Sequence, residues 1–216
     1  MTGMWAIILA AGESRRMGSP KMLLPFNGTT VIGQVIENVL AAGVIDTLVI
    51  AGADREEIIK AVKSYPVQHS YNDNFRSGML SSVQCGFAFL PDHCHAALIV
   101  PGDQPMISAM EIKKVMEAWK ESGKGIVMPV YNGKRGHPLV VDMKYRAEVL
   151  SLPEEDGLRA LAARHPDDVI EAETDDQSVL RDIDTREDYL NELKIIKNDG
   201  RDNPVQTQQQ GDGTGH

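Results

Sequence analysis

Residues that could bind a polyphosphate are concentrated directly after the first apolar segment of the chain. Gly12, Arg15, Arg16, Gly18 and Lys21 all lie within ten consecutive positions. Glycine lets the backbone turn tightly and approach an anion, and cations neutralise negative charge, so this composition suits a phosphate-binding loop. The glycines are six positions apart and the lysine does not directly follow the second one, which excludes the Walker A and G-x-G-x-x-G patterns. From residue types alone, an ordinary surface loop with solvated arginines explains the segment equally well.

Two aspartates farther along the chain could hold a divalent cation. Asp103 lies in a Pro-Gly-Asp-Gln-Pro sequence after the apolar stretch Ala96–Val100, and Asp184 lies in Asp-Ile-Asp-Thr just before the last predicted helix. Mg²⁺ prefers oxygen ligands and usually takes one or two carboxylates together with substrate phosphates. A turn aspartate is the alternative for Asp103, and a helix cap formed by Asp184 or Thr185 is the alternative for the second segment.

Three more polar segments are candidates for ligand binding. A polar loop that contains Gly78 runs into a predicted helix bearing Ser82, where backbone N–H groups can bind an anion or a base edge. Helix capping and close packing explain this loop equally well. The sequence Arg-Gly-His-Pro brings Arg135 and His137 together, and Arg159 follows in Asp-Gly-Leu-Arg. A turn histidine and solvated arginines are the alternatives for these later segments.

The elements that must position these residues follow from hydrophobic periodicity. Continuous apolar runs are typical of strands that are covered on both faces, and three- and four-residue spacing is typical of helices. Strands are predicted at Trp5–Ala10, Thr47–Ile50, Val67–Tyr71, Ala96–Val100, Gly125–Tyr131, Pro138–Asp142 and Val169–Glu171. Helices are predicted at Thr30–Ala42, Asp54–Val62, Gly78–Phe89, Ser108–Ser122, Lys144–Leu150, Gly157–Arg164 and Thr185–Ile196. Capping boxes are expected where Asp54 is followed by Glu57 and Ser108 by Glu111.

This alternation predicts an α/β fold with a mainly parallel, Rossmann-like sheet and helices on both faces. Ligands bind such sheets beyond the carboxyl ends of the strands. The loops after Ala10, Ala51, Tyr71 and Val100 are therefore where a functional site is expected.

Composition limits the class of protein. The 216 residues carry 22 basic and 31 acidic side chains, a formal net charge of −9, which argues against a nucleic-acid-binding protein. The longest apolar run, Met4–Ala11, is too short for a membrane span, and the N-terminus lacks the pattern of a signal peptide. Two cysteines fit a reducing cytoplasm better than a disulfide framework. One domain is predicted over residues 1–196, and the polar, glutamine-rich residues 197–216 are predicted to be a disordered tail.

The loop with Leu9-Ala10-Ala11-Gly12, Arg16-Met17-Gly18 and Lys21 resembles the signature loop of the MobA-like nucleotidyltransferases, the family of the molybdenum cofactor guanylyl- and cytidylyltransferases. The resemblance covers Ile7 to about Leu193 and implies the nucleotidyltransferase (glycosyltransferase-A-like) fold. It assigns nucleotide binding to Leu9, Ala10, Ala11, Gly12, Arg16, Lys21, Gly78 and Ser82. It implies that Asp103 and Asp184 hold Mg²⁺, with Mn²⁺ as an alternative. Arg16, Lys21 and Asp103 would be the catalytic residues.

The same resemblance extends to the choice of substrates. Ala10-Ala11-Gly12 resembles the cytidine-specific version of the loop, and Arg135, His137 and Arg159 match the part of the cytidylyltransferase branch that faces the second substrate. The implied reaction transfers a cytidylyl group from CTP to the phosphate of molybdopterin, with a molybdenum hydroxylase related to xanthine dehydrogenase as the recipient of the product. A sugar or polyol phosphate acceptor is the alternative within the fold. A non-catalytic cofactor-binding accessory protein is the alternative outside it, although such a carrier would not need Lys21 and a metal site.

Overall fold

The fold is a twisted sheet organised around the apolar first strand. The computed structural model describes residues 3–198. Its strands are β1 (Met4–Ala10), β2 (Pro25–Phe26), β3 (Thr29–Thr30), β4 (Asp46–Ala51), β5 (Gln68–Tyr71), β6 (Ala96–Pro101), β7 (Ile126–Tyr131), β8 (Lys134–Arg135), β9 (Leu139–Asp142) and β10 (Val169–Glu173). Its α-helices are α1 (Val31–Ala42), α2 (Arg55–Val62), α3 (Met79–Phe89), α4 (Ala109–Ser122), α5 (Arg146–Ser151), α6 (Arg159–Arg164) and α7 (Arg186–Asn198).

The main sheet has the strand order β10-β7-β9-β6-β1-β4-β5, and β8 pairs with β7. The pairs β1–β4, β1–β6, β4–β5 and β7–β10 are parallel, which confirms the predicted mainly parallel sheet. β9 lies antiparallel to both β6 and β7. Its direction follows from chain length, since only seven residues separate Tyr131 from Leu139 and a parallel crossover needs a dozen or more.

Alternate side chains of β1 form two cores, one on each face of the sheet. Ala6 and Ile8 face the layer that contains α1, α2 and α4. Trp5 and Ile7 face the layer that contains α3, α5 and α6. A third, small cluster packs α7 against the β2–β3 hairpin and includes the fully buried Ile183. Because both faces of β1 are covered, every residue of the strand is apolar, which explains the uninterrupted apolar run in the sequence.

Local signals explain most element boundaries. Thr30 Oγ1 accepts a hydrogen bond from the N–H of Gly33 at the start of α1, and Gly43 ends that helix in the left-handed region. Ser108 Oγ likewise accepts from the N–H of Glu111 at the start of α4. The return hydrogen bond of that capping box, from the Ser108 N–H to the Glu111 carboxylate, is wrong. The carboxylate accepts hydrogen bonds from the side chains of Lys114 and Thr174 instead.

The capping box predicted for α2 is also wrong. The helix begins at Arg55, but among the described residues the Asp54 side chain accepts no capping hydrogen bond. The short β2–β3 hairpin and β8 were not predicted, because two-residue strands carry too little periodicity to detect.

The last helix among the described residues, α7, continues through Asn198, two residues past the predicted domain boundary. The remainder of the predicted tail, residues 199–216, lies outside the described residues. Within residues 3–198, no helix is long and apolar enough to cross a membrane.

Candidate active site

The carboxyl ends of β1, β4 and β6 bring three loops into close contact. The carbonyl oxygen of Ala11 accepts a hydrogen bond from the N–H of Ala53, and that of Leu9 accepts from the N–H of Gly102. A Cβ atom added to Gly102 would lie 2.8 Å from the Leu9 oxygen, and one added to Gly52 would lie 2.6 Å from the Ala11 oxygen. These glycines therefore let the backbones approach and define the base of the site.

At the centre of the site, one ammonium group joins two carboxylates from distant parts of the chain. Lys21 Nζ lies 2.7 Å from Asp103 Oδ2 and 2.9 Å from Asp184 Oδ1. The Lys21 side chain is only 10% exposed, and its backbone N–H donates to Ser14 Oγ. Arg16 reaches the other oxygen of Asp184 at 2.8 Å but is mostly exposed. The structure thus brings together the four residues predicted for phosphate and metal binding.

The charges of this cluster reinforce one another. Burial alone would lower the pKa of Lys21, but the Asp103 and Asp184 carboxylates outweigh it, and the pKa is raised overall. Burial raises the pKa of the neighbouring Asp182, and the negative charges of Asp184 and Asp103 raise it further. Lys21 therefore stays charged near neutral pH.

Asp184 reaches this position because the backbone on both sides of it is fixed. The N–H of Ile183 donates to the carbonyl oxygen of Asp103, and the Ile183 side chain is fully buried. At the start of α7, Thr185 Oγ1 accepts from the N–H of Asp188, and Asp188 Oδ2 accepts from the N–H of Thr185. Thr185 is therefore the capping residue, and the Asp184 carboxylate is free to face Lys21.

A cavity of about 410 Å³ opens above this cluster. Of the residues predicted to bind nucleotide or metal, it is lined by Leu9, Ala11, Gly12, Arg16, Lys21, Gly78, Ser82, Asp103 and Asp184. Ala10 does not line it, because this last residue of β1 is 2% exposed and points into the core. The cavity contains glycines, hydroxyl groups and cations, which is the chemistry expected for a polyphosphate site.

The wall formed by α3 is held by a buried asparagine. Asn72 Nδ2 donates to Ser81 Oγ at 2.8 Å and to Ser82 Oγ at 3.0 Å. Gly78 precedes the helix with a backbone φ of 108°, which residues other than glycine rarely adopt. Both features fix the cavity-lining residues Gly78 and Ser82 on the side facing the phosphate loop.

A second cavity, of about 380 Å³, adjoins the first and contains the three residues predicted for a second substrate: Arg135, His137 and Arg159. Its floor is apolar and is formed by Leu80, Val83, Ile99, Ile126, Met128, Leu139, Val141, Leu158 and Leu161. Arg135 is held by Glu171, with Nε 2.7 Å from Oε1. Arg159 Nε donates to the carbonyl oxygen of Asp156, and no carboxylate pairs with Arg159 within residues 3–198. Burial lowers the pKa of His137, against a smaller opposing effect of Asp103, so its imidazole is neutral near pH 7.

Comparison with known proteins identifies the family. Residues 6–169 match the MobA-like NTP transferase domain. The chain belongs to the MobA-like NTP transferase family. It is 27% identical over 191 residues to the molybdenum cofactor cytidylyltransferase of Escherichia coli K12, covering 88% of this chain and 95% of that protein. It is 29% identical over 192 residues to the nicotine blue oxidoreductase of Paenarthrobacter nicotinovorans, covering 84% and 92%.

Solved structures agree with this assignment. Rv0371c from Mycobacterium tuberculosis H37Rv superposes with a TM-score of 0.79 at 26% identity, covering 89% of this chain and 98% of that one. The same mycobacterial protein has also been crystallised as a complex with manganese. MobA-like relatives thus include proteins named for different reactions, and the substrates of this chain have to be argued from its own residues.

The donor set of this MobA-like domain fits a hard divalent cation. Asp103 and Asp184 place two carboxylates close together, with the Lys21 ammonium between them. Among the described residues no group of three or more histidine, cysteine, aspartate or glutamate side chains is close enough to enclose a metal ion. Two carboxylates with open positions are the ligands that Mg²⁺ takes when substrate phosphates complete its coordination, whereas a structural zinc site needs four protein ligands.

Sequence reasoning missed several residues that shape this site. Ser14 Oγ accepts a hydrogen bond from the backbone N–H of Lys21, and Ser14 adopts a φ of 50°. Gly52 packs directly against the backbone of Ala11. The hydrogen bonds from Asn72 to two serines nine and ten positions away were not predicted either. A glycine directly after the apolar second strand was the available signal for Gly52. The other contacts depend on side-chain directions that spacing alone does not reveal.

Proposed function

We propose that this protein transfers a cytidylyl group from CTP to the terminal phosphate of molybdopterin, with Mg²⁺ as the metal ion. The observation that carries the proposal is the Lys21–Asp103–Asp184 cluster at the base of a glycine-lined cavity, with a second cavity directly beside it. Such a cluster serves a nucleoside triphosphate, and the adjoining cavity provides space for an acceptor. The similarity to a molybdenum cofactor cytidylyltransferase over 95% of that protein supports the choice of acceptor.

In this proposal the residues of the chain position and neutralise rather than transfer protons. An oxygen of the acceptor phosphate forms a bond to the α-phosphorus, the bond from that phosphorus to the bridging oxygen breaks, and pyrophosphate leaves with the electron pair. The attacking phosphate is already ionised near neutral pH, so the step needs no general base. Asp103 and Asp184 would hold Mg²⁺, which supplies positive charge to the triphosphate. Lys21 and Arg16 stabilise the charge that develops on the leaving pyrophosphate.

The floor of the acceptor cavity offers a broad apolar surface to a planar ring. It consists of apolar side chains from α3, β6, β7, β9 and α6, while the charged and polar lining residues are Arg135, His137, Glu154, Glu155, Asp156 and Arg159. An apolar floor with polar groups beside it is typical of sites for small molecules and cofactors. Arg159 has no carboxylate partner among the described residues and can donate to a phosphate, and neutral His137 can hydrogen-bond without transferring a proton.

The test is pyrophosphate release from CTP or GTP, in the presence and absence of molybdopterin, with Mg²⁺ or Mn²⁺. We expect release that requires both CTP and the pterin, and a dinucleotide product identified by mass spectrometry. CTP should exceed GTP in kcat/KM by about ten- to two-hundredfold, because Ala11 narrows the loop where a glycine would leave more space. Equal kcat/KM for the two nucleotides would refute the base assignment.

The other outcomes decide between the alternatives. Release with sugar or polyol phosphates but not with the pterin would overturn the acceptor and keep the transferase. Tight pterin binding without any release would identify an accessory protein. If the proposal holds, the dinucleotide would be made in the cytoplasm and passed to a molybdenum hydroxylase of the xanthine dehydrogenase type.

A further inference from the structure

Met79 stands at the boundary between the two cavities. Among the described residues it alone lines both of them. It is the first residue of α3, and its side chain is 60% exposed although it is large and apolar. An exposed methionine on a surface is common, but one at the junction of two adjacent cavities faces whatever occupies them.

The backbone holds Met79 in place on both sides. Gly78 precedes it in a conformation reserved for glycine, and Ser81 Oγ donates to the carbonyl oxygens of Gly78 and Asn74. The thioether is thus a flexible side chain on a fixed base. Methionine adapts its shape to a neighbouring surface and makes favourable sulfur contacts with aromatic rings.

The apolar surface of Met79 is continuous with the floor of the acceptor cavity. Val83, four positions along α3 and on the same face as Met79, is almost fully buried and lines that floor, as does Leu80. The nucleotide cavity has apolar lining as well, from Leu9, Met22, Phe75 and Pro101, beside the charged cluster. An apolar ligand surface would therefore gain contact with Met79 from the acceptor cavity.

We infer that Met79 is a specificity-determining residue for the acceptor, with its thioether packed against a planar heterocycle where the two cavities meet. The inference rests on the proposed function, since it takes the acceptor cavity to bind a pterin whose phosphate extends toward the nucleotide. Met79 then selects a flat ring over a polyol chain, because only a ring presents a face for the sulfur.

The experiment measures binding of molybdopterin and of CTP separately, by fluorescence titration, for four proteins. These are the wild type, Met79→Ala, Met79→Leu and Met110→Ala. Met110 is a matched control, because it is 65% exposed on α4 and lines neither of the two cavities. We expect Met79→Ala to weaken pterin binding by about five- to twentyfold and to leave CTP binding within about twofold. Met79→Leu, which keeps apolar volume, should stay within about threefold of the wild type for both ligands.

Each other result overturns a distinct statement. If the wild type does not bind the pterin, the proposed function fails and takes the role of Met79 with it. If the wild type binds and Met79→Ala binds equally well, the role of Met79 is wrong and the proposed function stands. Weaker CTP binding in Met79→Ala would place the thioether on the nucleotide instead. A Met79→Leu protein as weak as Met79→Ala would show that apolar packing is not the cause.

Discussion

Lys21 Nζ lies 2.7 Å from Asp103 Oδ2, although 82 positions separate the two residues in the chain. The contact forms because Lys21 follows β1 and Asp103 follows β6, and these strands are parallel neighbours whose carboxyl ends meet at one edge. Asp184 joins them through the hydrogen bond from Ile183 to the Asp103 backbone. The parallel pairing of β1 with β6 and the backbone hydrogen bond of Ile183 thus bring the three charged groups to one edge of the sheet.

Replacing Asp103 with asparagine should remove metal-dependent turnover while leaving the fold intact. The amide keeps the shape of the side chain but lacks the charge that a divalent cation needs. We expect Asp103→Asn to lower turnover by about a hundredfold or more. The measurement is pyrophosphate release across a Mg²⁺ titration, with circular dichroism to confirm folding. Near wild-type turnover at limiting Mg²⁺ would show that Asp103 is not a metal ligand.

Lys21 should contribute a stability that persists until alkaline pH. The pKa of Lys21 is raised in the folded protein. The contribution of its ammonium group to the free energy of unfolding is therefore complete below the pKa of an unfolded lysine, about 10.4, and is lost as the pH rises through the folded pKa. Replacing Lys21 with glutamine leaves two carboxylates without their shared partner. We expect a loss of about 2–3 kcal/mol in unfolding free energy, less than for a fully buried pair because Asp184 is partly exposed.

Urea denaturation at several pH values measures this contribution. The difference between wild type and Lys21→Gln should be constant from pH 8 to pH 9.5 and should shrink above pH ~10.5. A difference that already shrinks between pH 8 and pH 9 would contradict a raised pKa for Lys21.

The convergence of charged residues was predictable from sequence, and the details of the walls were not. Buried parallel strands end at the same edge, so the loops that hold Lys21 and Asp103 were predicted to lie near each other, whereas Asp184 was assigned to the same site only by the family resemblance. The direction of β9 depended on the seven-residue connection before it, which strand patterns alone did not weigh. The boundary position of Met79 depends on how α3 packs against β1, β4 and α5. No periodicity in the sequence encodes that packing.

Gly52 offers a test of how the sheet supports the nucleotide loop. A Cβ atom there would lie 2.6 Å from the Ala11 oxygen and 2.9 Å from its Cα, so Gly52→Ala must displace the loop backbone. Overpacking of this kind destabilises a protein by about 1–3 kcal/mol. We therefore expect Gly52→Ala to lower the melting temperature and to raise the KM for CTP together.

Gly12→Ala is the matched comparison, because a Cβ atom at Gly12 meets nothing within 4 Å while the residue lines the nucleotide cavity. Its melting temperature should stay near that of the wild type while CTP binding weakens. Thermal unfolding and CTP titration of both variants separate the two effects. If Gly52→Ala leaves both the melting temperature and CTP binding unchanged, the loop does not rest on β4 as described.

The two arginines of the acceptor cavity should differ in importance. Arg135 is committed to Glu171, with contacts of 2.7 and 2.6 Å, whereas Arg159 has no carboxylate partner within residues 3–198. A guanidinium that is not already paired can give its donors to an incoming phosphate without first breaking an ion pair. Arg159→Ala should therefore weaken pterin binding by about tenfold or more, as expected for a lost charge-assisted hydrogen bond, and Arg135→Ala by less.

Replacing His137 with glutamine should weaken pterin binding by the same factor at every pH above 7, because the lowered pKa of His137 keeps the wild-type imidazole neutral there. CTP binding, measured in parallel, should be unchanged in all three variants. A loss of CTP binding in Arg159→Ala, or a larger pterin effect from Arg135→Ala, would place the acceptor phosphate elsewhere.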